Sequence, residues 1–279
     1  MFLFQITIVF LFLTKPIFYL FVIPNVLLSV WFVKFIKRAY LFSLIPVIVC
    51  LIYMNWNDQR TGNFEFSSIQ NINLKNYNLY YFHVSKYGEE YAHNINTEIT
   101  EMANNKASYA LKQKFINERC FYYLTKDWDA YILKHIIGSF RMFIDPGRFD
   151  IYNYFEFKNN SETGFLKHLN ENGFIGAIEY FKKQPLLILI AIPVILIFNL
   201  FKIIGFILFW IKNYNKTPAV FWFMLFIIAY FFALTGIIGA ARFLVPILPI
   251  YLLFATLGYS KSLKLNWGYQ DTILFKQKD

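Results

Sequence analysis

Apolar residues run in long blocks at both ends of the chain and give way to a mixed polar stretch in the middle. The first block, residues 2–13, is too short to span a bilayer alone and stops at Thr14, Lys15 and Pro16. It lacks the basic start and small-residue cleavage site of a signal peptide, and more apolar sequence follows at once, so it is predicted to be the stump of a membrane helix. Further blocks cover 17–33, 40–56, 186–211, 219–237 and 243–257. Roughly 20 apolar residues cross a hydrocarbon core. The pattern therefore predicts an all-α integral membrane protein of about six hydrophobic helices, the first one short. At about 39 Å the 186–211 block exceeds a core of about 30 Å, which implies tilt or an interfacial end. Lys202 then lies near a boundary, where it can snorkel.

Between these blocks, 57–184 reads as a mostly helical loop domain. Helical spacing covers 89–119 and again 127–144, where Tyr131, Ile132, His135, Ile136 and Phe140 share a face before Asp145, Pro146 and Gly147 stop the helix. A third helix at 173–183 carries Phe174, Ile175, Ile178 and Phe181 on one stripe and is expected to lie along the bilayer surface. Tyr77, Tyr80, Tyr81, Tyr122 and Tyr123 mark the loop as packed or membrane-facing. The expected organisation is thus 1–56 for the first membrane helices, 57–184 for the loop domain, 185–258 for the last membrane helices and 259–279 for a tail.

Composition agrees with the bilayer class, since 57% hydrophobic and 16% charged residues depart from soluble averages. The formal charge of +10 raises the question of nucleic acid. Residues 57–184 hold 15 basic and 15 acidic residues, so the excess sits beside the apolar blocks, 12 − 2 = +10. That is a topology signal, and no nucleic-acid partner is expected. Nine of the 12 flanking basic residues (Lys34, Lys37, Arg38, Lys212, Lys216, Lys261, Lys264, Lys276 and Lys278) fall on one side if crossings alternate. The positive-inside rule makes that side cytoplasmic, along with the C-terminus, and leaves 57–184 extracytoplasmic.

Little metal or thiol chemistry is readable. Cys50 falls in an apolar block and Cys120 in the polar middle, while His83, His93, His135 and His168 lack ligand spacing. No metal or other cofactor is expected in this chain. Cations at the outer membrane boundary are more informative, because charge at membrane depth is costly and often functional. They are Lys15, Arg60 and Arg242. Arg242 stands in GIIGAARFLVPILPIYLLFA, residues 236–255, where Pro246 and Pro249 make the start of the last helix irregular. Its guanidinium has the fork geometry that clamps a phosphate. An interfacial anchor is the competing role.

Arg242 to Pro249, with the Met54 to Phe82 stretch MNWNDQRTGNFEFSSIQNINLKNYNLYYF, Lys15-Pro16 and the helix ending in Asp145-Pro146-Gly147, resembles the bacterial family 39 glycosyltransferases of the GT-C superfamily. These are relatives of protein mannosyltransferases and aminoarabinose transferases. The matches run in order over nearly the whole chain. The resemblance implies a bacterial plasma-membrane protein that takes a polyprenyl-phosphate-linked sugar at the outer face and passes it to an acceptor hydroxyl. It also puts Arg242, Lys15 and Arg60 near the carrier phosphate. Family members carry catalytic acids, which usually help bind a divalent metal, just after their first membrane helix. Here no Asp or Glu precedes Asp58, so no catalytic residue is assigned, Asp58 and Glu65 included. The chain is expected to be the C-terminal half of such an enzyme, partnered with membrane lipid and a missing N-terminal half, and inactive alone.

Two rivals remain at this stage. One is a non-enzymatic membrane module supporting a glycosyltransferase; the other, a transporter, usually shows repeated broken helices near the midplane, and isolated Pro24, Pro46 and Pro193 do not supply them. The charge pattern makes its own test. Single cysteines at Ser68 and Lys261 are expected to react with an impermeant thiol reagent from opposite sides of the membrane, and labelling from the same side would overturn the orientation.

Overall fold

The computed structural model describes residues 2–32, 39–157, 175, 178–179, 182–214 and 219–260. Among them every regular element is helical. The elements are α1 (Phe2–Thr14), a 3-10 turn (Pro16–Phe21), α2 (Val22–Phe32), α3 (Ala39–Thr61), α4 (Ile69–Ile72), a π-helical segment (Asn73–Leu79), α5 (Tyr80–Tyr87), α6 (Glu89–Asn104) and α7 (Tyr109–Lys126). Then come α8 (Trp128–Ile144), α9 (Arg148–Tyr154), α10 (Leu186–Asn213), α11 (Ala219–Thr235), two 3-10 turns (Ala241–Phe243, Val245–Ile247) and α12 (Leu248–Tyr259). Three stretches, Leu41–Thr61, Leu186–Asn213 and Ala241–Tyr259, are long and apolar enough to cross a membrane, and shorter apolar helices lie at Phe2–Thr14, Pro16–Ser29 and Val220–Thr235.

Several boundaries differ from the sequence reading. The block 17–33 does not form one helix: Pro16 leads a 3-10 turn before α2 begins. Helix α3 runs past Trp56 to Thr61, so Arg60 is helical. The helix predicted over 89–119 is two helices, because residues 105–108 interrupt it and Ser108 caps α7, its Oγ accepting from Leu111 N at 3.3 Å. The stop after α8 at Asp145, Pro146 and Gly147 is present. Most of the helix predicted at 173–183 lies outside the described residues.

Contacts divide the chain into two compact units, one running to His135 and one beginning at Ile136. In the first, α1 and α2 pack on α3, and Gln5 and Asn25 meet inside this apolar layer. Their amides exchange two hydrogen bonds, Asn25 Nδ2 to Gln5 Oε1 at 2.7 Å and Gln5 Nε2 to Asn25 Oδ1 at 3.3 Å. Each satisfies the other, which removes most of the penalty of a buried amide. Past α3, buried Phe66 wedges among the rings of Phe12, Tyr19 and Tyr53, and Asn57 Nδ2 holds its carbonyl. That fixes the turn leading to α4. Helices α5, α6 and α7 then pack together, with a π-helical stretch, a form most often found as a local bulge, ahead of them.

Helix α5 buries His83 beside Phe82 and against the rings of Tyr87, Tyr91 and Tyr123. Asp127, which accepts from Tyr87 Oη at 2.6 Å and pairs with Lys86 at 2.6 Å, anchors the end of α7 to this cluster. Burial lowers the His83 pKa, a like charge on Lys86 adds to that, and Asp127 opposes it. A depressed histidine pKa means that the unfolded chain binds more protons, so this contribution to stability is complete above the ordinary value near 6.5 and is lost as pH falls below it. Melting of the detergent-solubilised protein is expected to fall between pH 7.5 and 5.5, with the slope reduced in His83→Phe. An unchanged slope in the variant would assign the pH dependence elsewhere.

Candidate functional site

In the second unit, α10 and α12 make the closest helix pair. Gly258 of α12 faces the carbonyl of Gly205 on α10 so closely that a Cβ there would collide with backbone. Small residues thus set the spacing of two long apolar helices. Ahead of α12, the chain from Gly236 to Phe243 turns under the C-terminal end of α8. Gly239 has φ +57°, and a side chain on it would strike the Gly138 carbonyl and the Arg141 stem.

This loop is held by Asp145. Its Oδ2 accepts from Ala241 N at 2.6 Å and its Oδ1 from Gly147 N at 3.1 Å. Asn199, buried midway along α10, donates to the carbonyls of Ile144 and Asp145 at 3.0 and 3.3 Å. Those carbonyls end α8 and lack helical partners. A cleft of about 340 Å³ opens at this junction, lined by Arg141, Ile144, Asp145, Pro146, Ile238, Gly239 and Ala240. Arg141 is exposed and forms no ion pair with a described residue.

Arg242 follows the residue that Asp145 anchors. It is exposed in the 3-10 turn Ala241–Phe243, with its guanidinium 5.4 Å from the Phe243 ring and no ion pair among the described residues. The irregular start read from Pro246 and Pro249 is present: two 3-10 turns precede α12, which takes Pro249 in its first turn. Asp145 is the only carboxylate lining the cleft among the described residues, and each of its oxygens is already engaged by a backbone N–H. Hydrogen bonding takes up acceptor sites on that carboxylate, and the guanidinium in the lining, Arg141, has donors that suit an anion.

Lys15 and Arg60 belong to the first unit, apart from the Arg242 loop in the chain's division. Lys15 is exposed and extended between α1 and the turn led by Pro16. Arg60, exposed in the last turn of α3, lies 5.0 Å over the Trp56 ring. Asp58 is half-buried on the same helix, and Glu65 Oε1 accepts from Tyr109 Oη at 2.7 Å. Burial, then that bond, pushes the Tyr109 hydroxyl up to about 12. Among the described residues no group of three His, Cys, Asp or Glu side chains clusters as metal ligands would.

Arg141 was not among the residues singled out by sequence. A basic residue in the last turn of a helix ordinarily complements the helix dipole, and long-range contacts, the bond from Asp145 to Ala241 and the packing of Gly239 on Gly138 and Arg141, show that this helix end faces the loop before Arg242. Comparison with known proteins finds no family model, curated relative or solved structure that matches the chain. Gly239→Val is expected to destabilise the fold by about 1–3 kcal/mol or more, because it places a β-branched residue at positive φ against backbone. A melting temperature equal to that of the parent protein would contradict this packing.

Proposed function

We propose that the chain is the membrane-embedded, carrier-binding portion of a glycosyltransferase that uses a polyprenyl-phosphate-linked sugar, with Arg242 as the phosphate ligand and Arg141, which lines the adjoining cleft, as a second cation. The observation that carries this is the exposed Arg242, without an ion pair among the described residues, at the broken start of a helix long enough to cross a bilayer, next to a cleft whose carboxylate accepts two backbone hydrogen bonds. A polyprenyl chain needs lipid beside its phosphate, and the head of such a helix offers both. In the reaction, the acceptor oxygen attacks the anomeric carbon, the bond to the phosphate oxygen breaks, and the carrier phosphate leaves with the electron pair. A guanidinium at that oxygen stabilises the developing charge.

The acceptor proton requires a base that we do not assign within this chain. Asp145 is held by two backbone donors and Glu65 by Tyr109, and no Asp or Glu precedes Asp58. This same observation favours the second reading, a module that binds carrier for a catalytic partner. In both readings the chain spans the membrane with the cleft on the outer face. Arg242→Ala is expected to weaken binding of a short-chain polyprenyl phosphate in detergent by roughly tenfold to a hundredfold, the loss of one charge-assisted contact. Arg141→Ala should cost less, and binding of the matching polyprenol should not change. Equal phosphate binding by Arg242→Ala and the parent protein would sink the proposal.

A further inference from the structure

We infer that Asp145 is a positioning residue for Arg242, acting through the backbone of the loop rather than on a ligand. The carboxylate joins two chain segments that lie 96 residues apart, since Oδ2 takes the N–H of Ala241. Its other oxygen takes the N–H of Gly147 and closes the turn that ends α8. A Cβ at Gly147 would stand 3.7 Å from that of Ala241, so the two segments are in ordinary contact at the anchor. Arg242 is one peptide beyond it. Residues 236–240 turn sharply, with positive φ at Gly236 and Gly239 and an extended Ala240, and their close packing on Gly138 ends before Arg242. Without a fixed point after them, the guanidinium would sample many positions. Asn199 completes the clamp from α10 by holding the Ile144 and Asp145 carbonyls.

The charge on Asp145 makes the idea discriminating. A negative group in the cleft lining repels an anion, so if Asp145 acted only through its field, neutralising it would tighten phosphate binding. Positioning requires the opposite sign.

The test has two arms on the full chain in detergent. In the first, Arg242→Cys carries a nitroxide label; both native cysteines, Cys50 and Cys120, are buried. Label mobility is expected to rise when Asp145→Asn or Asn199→Ala is added, and unchanged mobility in both would overturn the inference. The second arm rests on the carrier-binding reading and measures affinity for a short-chain polyprenyl phosphate in a double-mutant cycle. Asp145→Ala is expected to weaken binding roughly tenfold in the parent protein and to have no further effect in the Arg242→Ala background. Asp145→Asn, which keeps the shape and one acceptor oxygen, is the second variant if Asp145→Ala does not fold, and it should weaken binding less. Fully additive losses, or tighter binding by Asp145→Asn, would overturn the inference. A mobility increase together with phosphate binding indifferent to Arg242→Ala would uphold the positioning role and refute the carrier reading, so the two ideas fail separately.

Discussion

One carboxylate sets the geometry of the second unit. Asp145 takes a backbone N–H at the end of α8 and another just before Arg242, and for a half-buried carboxylate such donors replace part of the lost water. The glycines around it exist to let the segments come close enough, as at Gly239, where any side chain would meet the Gly138 carbonyl. Asn199 then reaches from the middle of an otherwise apolar helix to the carbonyls that α8 leaves open. The other polar side chains at this junction, Asp145 and Asn199, are spent on holding backbone. Arg242 and Arg141 are the exception, which is why they stand out as candidates for binding.

Packing in the first unit follows a different logic. Its helices α1 to α3 are held by apolar contact plus one amide pair, whereas α5 to α7 rely on edge-on aromatic contacts around His83 and on the Lys86, Tyr87 and Asp127 contacts. Exposed ion pairs of this kind contribute little by themselves. Here the carboxylate also receives the Tyr87 hydroxyl, which ties the end of α7 back to α5.

Hydropathy made the apolar helices legible because block length is a physical requirement of the bilayer and survives without any knowledge of partners. The prolines at 246 and 249 likewise announced the irregular start of α12, since a missing donor acts locally. Signals that depend on water or on distant residues were not readable. The last turn of α3, Asn57 to Thr61, is polar, yet the helix continues through it, since backbone hydrogen bonding does not depend on an apolar run. The break at 105–108 rests on a Ser108 cap, a weaker mark than proline or glycine. The site was half visible: Arg242 was conspicuous as a cation among apolar residues, but Arg141 looked like an ordinary helix-end residue, and the Asp145 anchor spans too much sequence to be read from spacing.

The amide pair between α1 and α2 has a bearing on how substitutions in these helices combine. Gln5 and Asn25 are both buried, so losing either one strands its partner's donor and acceptor in an apolar layer, whereas replacing both with apolar residues of similar size removes the need along with the bond. The two positions are thus free to change only together.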